Sequence, residues 1–432
     1  MDSLLFNNPE LKQLALNNLK ECIDVQEFGR KMIELLFNSC MSAQADIVCN
    51  AEYGKSSETR TNQRNGYRER HLLTSEGVLN LKIPKLRSGS FFPEDLIERY
   101  CRVDKSLIAA IAEMYVMGIS TGKVEKVVEA FGIPEMSKSQ VSRMCSELDE
   151  EVSAFRTRRF DEIRFAYLYL DATYVRCRID HKSVSQAFVT AIGLGEDGHK
   201  RFLGTDCIDT ESYIDWKEFL SDIKERGMCD VKLVISDDHK GLVKAIDEVF
   251  LGAAHQRCVT HLMRNVEFHI HKQSDQKLAR EMLKATFAQK TPLTIRACYQ
   301  KATEEIGKLS NRAGSILLEA EDEALSYIHF PVSHWTKIRT NNIQERTNRE
   351  IKRRYRVVQC FPSKESLIRL VCSALIETEQ DWMSRCVLSK AQMTHAFNPR
   401  TIQTPTEEEV KQARQRAYMI IEGVIDACSS KN

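Results

Sequence analysis

The segment Phe165 to Ile179, FAYLYLDATYVRCRI, constrains this chain more than any other. Its period of two predicts a strand, with Phe165, Tyr167, Tyr169 and Asp171 on one side and Ala166, Leu168 and Leu170 on the other. A carboxylate in so apolar a strand is expensive unless something compensates it. Strands at Gln186 to Leu194 and Phe202 to Ile208 follow, with Gly193, Gly195 and Gly198 in the turn between them, which predicts an antiparallel meander. Helical spacing then runs from Thr210 to Gly227, followed by a short strand, Leu233-Val234-Ile235, and a helix from Leu242 to Phe250.

Three strands, a helix, a strand and a helix is the order of a ribonuclease H-like core, so the fold class read from this stretch is α/β. The 432 residues allow two to four domains. Lys plus Arg total 62 against 61 for Asp plus Glu, which removes global basicity as an argument and leaves only the distribution of charge. Fourteen cysteines without a Cys-x-x-Cys pair predict reduced thiols rather than a disulfide framework. The N-terminus lacks a long apolar h-region, and the most apolar run, Leu107 to Ile119, is broken by Glu113. The expectation is a cytoplasmic, nucleoid-associated protein that does not enter a membrane.

Upstream, residues 4 to about 50 have helical spacing, Gly54 to Gly66 turns polar and basic, and Val78, Leu79, Leu81 and Ile83 predict a short strand. Arg68, Arg70, Lys82, Lys85 and Arg87 fit a DNA-phosphate contact and a solvated basic face equally well. Between residues 106 and 150, Val124, Val127, Val128 and Phe131 form one helical stripe, Gly132-Ile133-Pro134 breaks it, and Ser137-x-x-Gln140 starts a second helix with Val141, Met144 and Leu148. Such a pair is either a plain helical hairpin or a helix-turn-helix offering Lys138, Gln140 and Arg143 to a DNA groove.

Three acids stand out. Asp171 lies in the first strand, and Asp237 with Asp238 ends a short buried strand that leads into a helix, where open α/β sheets place ligands. Glu345 follows a helix start at Asn341 and Gln344, roughly opposite the stripe Ile343, Thr347 and Ile351, with Arg349, Lys352 and Arg356 stacked behind it. From Arg346 to Arg356, Arg353 included, there are six basic residues and one acidic, a local cationic surface suited to phosphates. Each acid alone has a bland reading: Asp171 paired to Arg178, Asp237 as an N-cap, Glu345 in an i,i+4 pair with Arg349. Together they could hold two Mg²⁺ ions, hard cations that prefer carboxylate oxygen and serve phosphodiester displacement.

The motifs RNGYR (Arg64 to Arg68), IPKLRSGSFFP (Ile83 to Pro93), MYVMGIST (Met114 to Thr121), LDATYVRCR (Leu170 to Arg178), SDDHKGL (Ser236 to Leu242), QRCVTHLMRN (Gln256 to Asn265) and TNNIQERTNREIKRRYRVV (Thr340 to Val358) resemble, in order, the Mutator-type DDE transposases of bacterial insertion sequences. The resemblance runs from about Arg64 to about Ser373 and implies a ribonuclease H-like fold interrupted by an all-helical insertion. It implies Asp171, Asp237 and Glu345 as catalytic, metal-binding acids with Mg²⁺, or Mn²⁺ as substitute. Asp238 departs from the small residue usual after the second acid; Asp237 is favoured because it occupies the motif position. The family's Cys-x-x-His element matches Cys258 and His261; with His255 the spacing also suggests zinc, but a supporting role is favoured.

The expected organisation is an N-terminal, mainly helical DNA-binding region (1–105), a helix-turn-helix (106–155), a first core part (160–261), the helical insertion (262–334), a second core part carrying the Glu345 helix (335–390) and a tail (391–432) in which Tyr418, Ile421 and Ile425 suggest an amphipathic helix. The expected activity is Mg²⁺-dependent cleavage at terminal inverted repeats and strand transfer into target DNA, by a homodimer or higher oligomer. The alternatives are a ribonuclease H-like nuclease or junction resolvase that only cuts, and a non-catalytic DNA-binding regulator.

Overall fold

The structure, a computed structural model, describes residues 25–97, 103–117, 119, 121–130, 133, 141, 148–179, 182–358, 360–361, 363–397 and 404–429. The chain divides into two compact units, residues 1–149 and 150–432.

The first unit contains α1 (Val25–Cys49), a hairpin of β1 (Arg64–Thr74) and β2 (Gly77–Leu86), α2 (Lys105–Val116) and α3 (Thr121–Ala130). Alternation in β2 buries Leu79, Leu81 and Ile83 beside Met41 of α1 and leaves Lys82 and Lys85 exposed. The hairpin makes this region less helical than expected, and β1 carries too many polar residues to be legible as a strand. Val124 and Val128 of α3 are buried, whereas Val127 is 37% exposed and leaves the anticipated stripe. Lys138, Gln140 and Arg143 lie outside the described residues.

The second unit follows α4 (Leu148–Thr157) with β3 (Phe165–Ile179), β4 (Lys182–Gly195), β5 (Lys200–Ile208), α5 (Tyr213–Glu225), β6 (Leu233–Ser236), α6 (Lys240–Val249) and β7 (Ala254–Arg257). They form one five-stranded sheet in the order β5-β4-β3-β6-β7, antiparallel through β5, β4 and β3 and parallel through β3, β6 and β7. β7 is an addition to the expected elements, because its Ala-His-Gln-Arg sequence carries no apolar alternation.

A register shift between Phe165 and Tyr167 reverses the alternation there. Phe165 therefore packs with Leu168 and Leu170 against Trp216, Phe219 and Leu220 of α5 and Leu242 and Ile246 of α6, not on the Tyr167 side. The other face takes Tyr167 and Tyr169, whose hydroxyls meet His334 Nδ1 at 2.6 Å and the Lys337 carbonyl at 3.2 Å.

Between β7 and that covering layer come the helices α7 (Val259–Phe268), α8 (Gln273–Phe287), α9 (Pro292–Leu309) and α10 (Asn311–Ala324). At the α9–α10 crossing a Cβ on Gly314 would stand 2.7 Å from the Gly307 Cα, so the glycine lets two backbones meet. The chain then returns through a 3₁₀ turn, α11 (Trp335–Ile338), α12 (Asn342–Val358), α13 (Lys364–Met383), α14 (Lys390–Thr394) and α15 (Glu407–Ser429). α15 packs on α8 and α9 with Ala413, Ala417 and Ile421 buried and Tyr418 exposed. No helix among the described residues is long and apolar enough to cross a membrane.

Candidate active site

The parallel pairing of β3 and β6 ends with Tyr169 opposite Ile235. Asp171, still inside β3 and paired to Thr190 of β4, and Asp237, just past the end of β6, each lie two residues beyond that pair, in matching phase on adjacent strands about 4.8 Å apart. Both line one cavity of about 320 Å³ together with Glu211, Asp238, Arg257 and His261. This is the carboxyl-end crevice that a buried parallel pair creates.

Asp171 Oδ1 accepts from the Ala172 amide at 2.9 Å, and Oδ2 accepts from Asn348 Nδ2 of α12 at 2.8 Å. Burial, then the charge of Asp237, pushes its pKa up to about 7, with His261 pulling the other way. The Asp237 carboxylate lies against His261 Nδ1. That contact, and then one with the Cys258 thiol, raises the imidazole to about 10, so it stands as a cation beside the acid at neutral pH. Asp238 is held instead by Arg257, 2.7 Å away. The two neighbours are thus differently engaged, one against a histidine and one against a guanidinium.

Glu345 enters from α12. Its carboxylate meets Arg264 of α7 at 3.0 Å rather than Arg349, and it does not line the Asp171 cavity. Its helix is nevertheless tied to Asp171 through Asn348, one turn on. The face of α12 that enters the core is polar: Asn341 and Gln344 are fully buried, Thr347 and Ile351 nearly so, while Ile343 is only half-buried. Gln344 Nε2 donates to the Tyr169 carbonyl at 2.8 Å and the Thr190 carbonyl at 3.0 Å, and its Oε1 accepts from Thr190 Oγ1 at 2.8 Å. Asn341 Nδ2 donates to the Leu170 carbonyl at 2.8 Å, where β6 has ceased to pair. The expected capping pair therefore spends its side chains on β3 and β4.

Cys258 and His261 join these parts. The Cys258 amide donates to the Ser236 carbonyl at 2.8 Å, and its Sγ accepts from the Asn341 amide at 3.2 Å, so one buried residue touches both the end of β6 and the start of α12. His255 turns away, with Nε2 2.9 Å from Ser236 Oγ. His255 therefore points away from Cys258 and His261, which touch one another. Among the described residues no group of three or more His, Cys, Asp or Glu is set to hold a metal ion.

Arg178 is not beside Asp171. It lies seven residues along β3, roughly 23 Å at about 3.3 Å per residue, where its amide donates to the Phe361 carbonyl at 2.8 Å. Nor does Asp237 cap α6, whose N-cap is His239 without a side-chain bond. Arg349, Lys352 and Arg356 are exposed on α12, and Arg353, also exposed, pairs with Glu350 at 3.1 Å. Gln344, Asn348 and Arg264 were not among the expected site residues. The signal available for the first two is the recurrence of amides at Asn341, Gln344 and Asn348, a helical i, i+3, i+7 stripe.

The family model described as "Transposase, Mutator family" matches residues 6–385. The transposase for insertion sequence element IS1081 of Mycobacterium tuberculosis is 37% identical over 384 residues, 89% of this chain and 92% of the relative. That of ISRM5 from Rhizobium meliloti is 37% identical over 361 residues, covering 82% and 88%. That of IS256 in transposon Tn4001 from Staphylococcus aureus is 33% identical over 376 residues, covering 86% and 95%. Matched over most of its length by that model and by these relatives, the chain belongs to the Mutator family of transposases.

Proposed function

We propose that this transposase cuts DNA at the ends of its own insertion sequence and joins those ends to target DNA, with Asp171, Asp237 and Glu345 as the acids of a ribonuclease H-like, DDE-type centre. The observation that carries the reading is the matched phase of Asp171 and Asp237, each two residues past the last pair of adjacent parallel strands, and their shared cavity. The strand order β5-β4-β3-β6-β7, with helices on both faces, supports the ribonuclease H-like core.

Two carboxylates in one cavity, Asp171 and Asp237, are the donor chemistry of a hard divalent cation, with Glu345 on α12 the third that would join them. Asp237 Oδ1 and Glu345 Oε1 are buried and accept no hydrogen bond of good geometry, and the burial and Asp237 charge that raise Asp171 to about 7 are what a bound cation would offset. Mg²⁺, with Mn²⁺ as substitute, would be held by the three acids and would supply the charge that activates an attacking oxygen and stabilises a leaving one. His261 and Arg264 neutralise Asp237 and Glu345, and would yield those contacts to a bound ion.

In the first step, a water oxygen attacks the phosphorus at the element end; the bond to the 3′-oxygen breaks, leaving a 3′-hydroxyl and a 5′-phosphate. In the second, that 3′-hydroxyl attacks a target phosphodiester, forming one such bond and breaking another. No covalent link to the protein is needed. Arg349, Lys352, Arg353 and Arg356 line α12 beyond Glu345 as phosphate contacts, the N-terminal region with Lys138, Gln140 and Arg143 reads the terminal repeat, and two ends require at least a dimer.

The test is incubation with the element's end sequence and Mg²⁺, mapping nicks to the nucleotide and scoring joined products on a plasmid. Asp171→Asn, Asp237→Asn and Glu345→Gln are each expected to lower nicking by about 10³ or more, several kcal/mol of lost charge stabilisation. Chelation of the metal abolishes it. Wild-type rates in all three variants would remove the assignment, and nicks without joined products would favour a nuclease or resolvase.

A further inference from the structure

A second cavity, about 670 Å³, opens on another flank of α12. It is walled by Lys200 at the start of β5, Lys337 of α11, Arg346 of α12 and Arg385 just past α13, with Trp382 between them and Asp381 as its one acid. None of the four cations forms an ion pair with a described residue. At about 100° per residue, Asn342, Arg346 and Ile343 point roughly 60°, 100° and 160° round the helix from Glu345, so this flank is separate from that acid.

Four cations against one carboxylate leave a net positive cavity, and the first turn of α12 adds the positive end of a helix dipole. Burial, and after it the charges of Arg346 and Lys337, lowers Lys200 to about 8. Trp382 offers nothing to a nucleobase: Phe202 stacks on it at 4.6 Å and Lys200 sits 4.0 Å from its centroid. What is left for a ligand is charge without a stacking surface, the recognition chemistry of phosphate rather than base.

We propose that this cavity binds backbone phosphates of DNA, giving α12 a second nucleic-acid contact beside the one at its acids. The inference rests on reading the chain as a transposase that engages DNA. Such contacts carry no sequence information, so they serve the element end and any other duplex alike.

The test uses the full chain and fluorescence anisotropy over a salt series, with two labelled duplexes: the terminal sequence of the element and a random sequence. Lys337 and Arg385 are exposed, so Lys337→Ala/Arg385→Ala is expected to melt like wild type. Its dependence of log K on log salt should flatten by about 2, at about 0.9 per phosphate contact, on both duplexes, with binding on the order of 10- to 100-fold weaker at low salt. Lys337→Arg/Arg385→Lys should keep the wild-type slope, and Arg312→Ala on the helical insertion should leave it unchanged. An unchanged slope in the alanine pair overturns the proposal. Nicking assayed in parallel separates the two readings: a flattened slope with no nicking by wild type leaves the phosphate site standing and removes the catalytic reading. Normal nicking with an unchanged slope does the reverse.

Discussion

The strand-borne acids and the helix-borne acid reach the same end of the sheet by different means. Asp171 and Asp237 are placed by backbone: a five-stranded ladder in fixed register, filled on one face by α5 and α6. Glu345 arrives 108 residues after Asp237, on a helix whose inward face is mostly amide and hydroxyl. Its seat consists of a few directed bonds from Asn341, Gln344 and Asn348. Apolar burial contributes stability in proportion to area and tolerates small shifts, whereas a hydrogen bond is lost within a fraction of an ångström. The strand pair therefore carries the stability of this unit, and the Glu345 helix carries the precision of its site.

That contrast breaks if two substitutions act alike. Leu168→Ala, in the core on the face away from the acids, should cost about 2–5 kcal/mol of unfolding free energy while leaving the nicking rate per folded molecule nearly unchanged. Gln344→Ala strands the Tyr169 and Thr190 carbonyls and should cost about 2–4 kcal/mol, yet also slow nicking by about 10², because α12 loses its register on β3 and β4. Denaturant titration beside single-turnover nicking separates the two; equal losses of rate would erase the distinction.

Acid sharpens it from the stability side. Burial lowers His334, which bonds the Tyr167 hydroxyl, to about 4. The unfolded chain takes up that proton near pH 6.5 and the folded chain only near 4, so stability is lost as pH falls between those values, by about 2–3 kcal/mol in all. His334→Phe should flatten that part of the stability profile measured from pH 7 to 4. A profile as steep as wild type would place the acid sensitivity elsewhere.

How much of this was legible in the sequence follows the same division. β3, β4, β5, α5, β6 and α6 all appear where period two and helical spacing place them, because apolar burial writes a pattern. β1 and β7 write none: one is largely polar, the other four residues long. On α12 the helix and the outward placing of Glu345 could be read, but not the burial of Gln344 in place of Ile343, since an amide is buried only where carbonyls await it and those belong to residues more than 150 positions away. The pairing of Glu345 with Arg264 was hidden for the same reason. Asp171 and Asp237 could be picked out because a carboxylate within an apolar strand and one at the end of a buried strand are both visible locally; their matched phase needed the strand register.

Asn348→Ala comes next in size. It removes the donor to Asp171 Oδ2 without emptying a core position, so a cost of about 1 kcal/mol is expected. As a partner that orients a candidate metal ligand, it should slow nicking about 10- to 100-fold. Raising the Mg²⁺ concentration should recover part of that loss if Asn348 orients Asp171, and none of it if the defect lies in DNA binding.

Cys258→Ser is the smallest and the most discriminating. The thiol is buried, accepts from the Asn341 amide and lies beside His261, so it links the helix of the third acid to the partner of the second. Serine keeps an acceptor there with a shorter reach and a stronger hydrogen-bonding hydroxyl, and should change stability by less than about 1 kcal/mol. Alanine leaves the Asn341 amide unpaired and should cost more, about 1–2 kcal/mol, with a fall in nicking that tracks the loss of the bond. Were Cys258 a zinc ligand, both variants would release metal from purified protein and serine would fare no better than alanine. The geometry, with His255 turned to Ser236 and away from Cys258 and His261, predicts that serine is the milder of the two and that the metal content of the protein does not change.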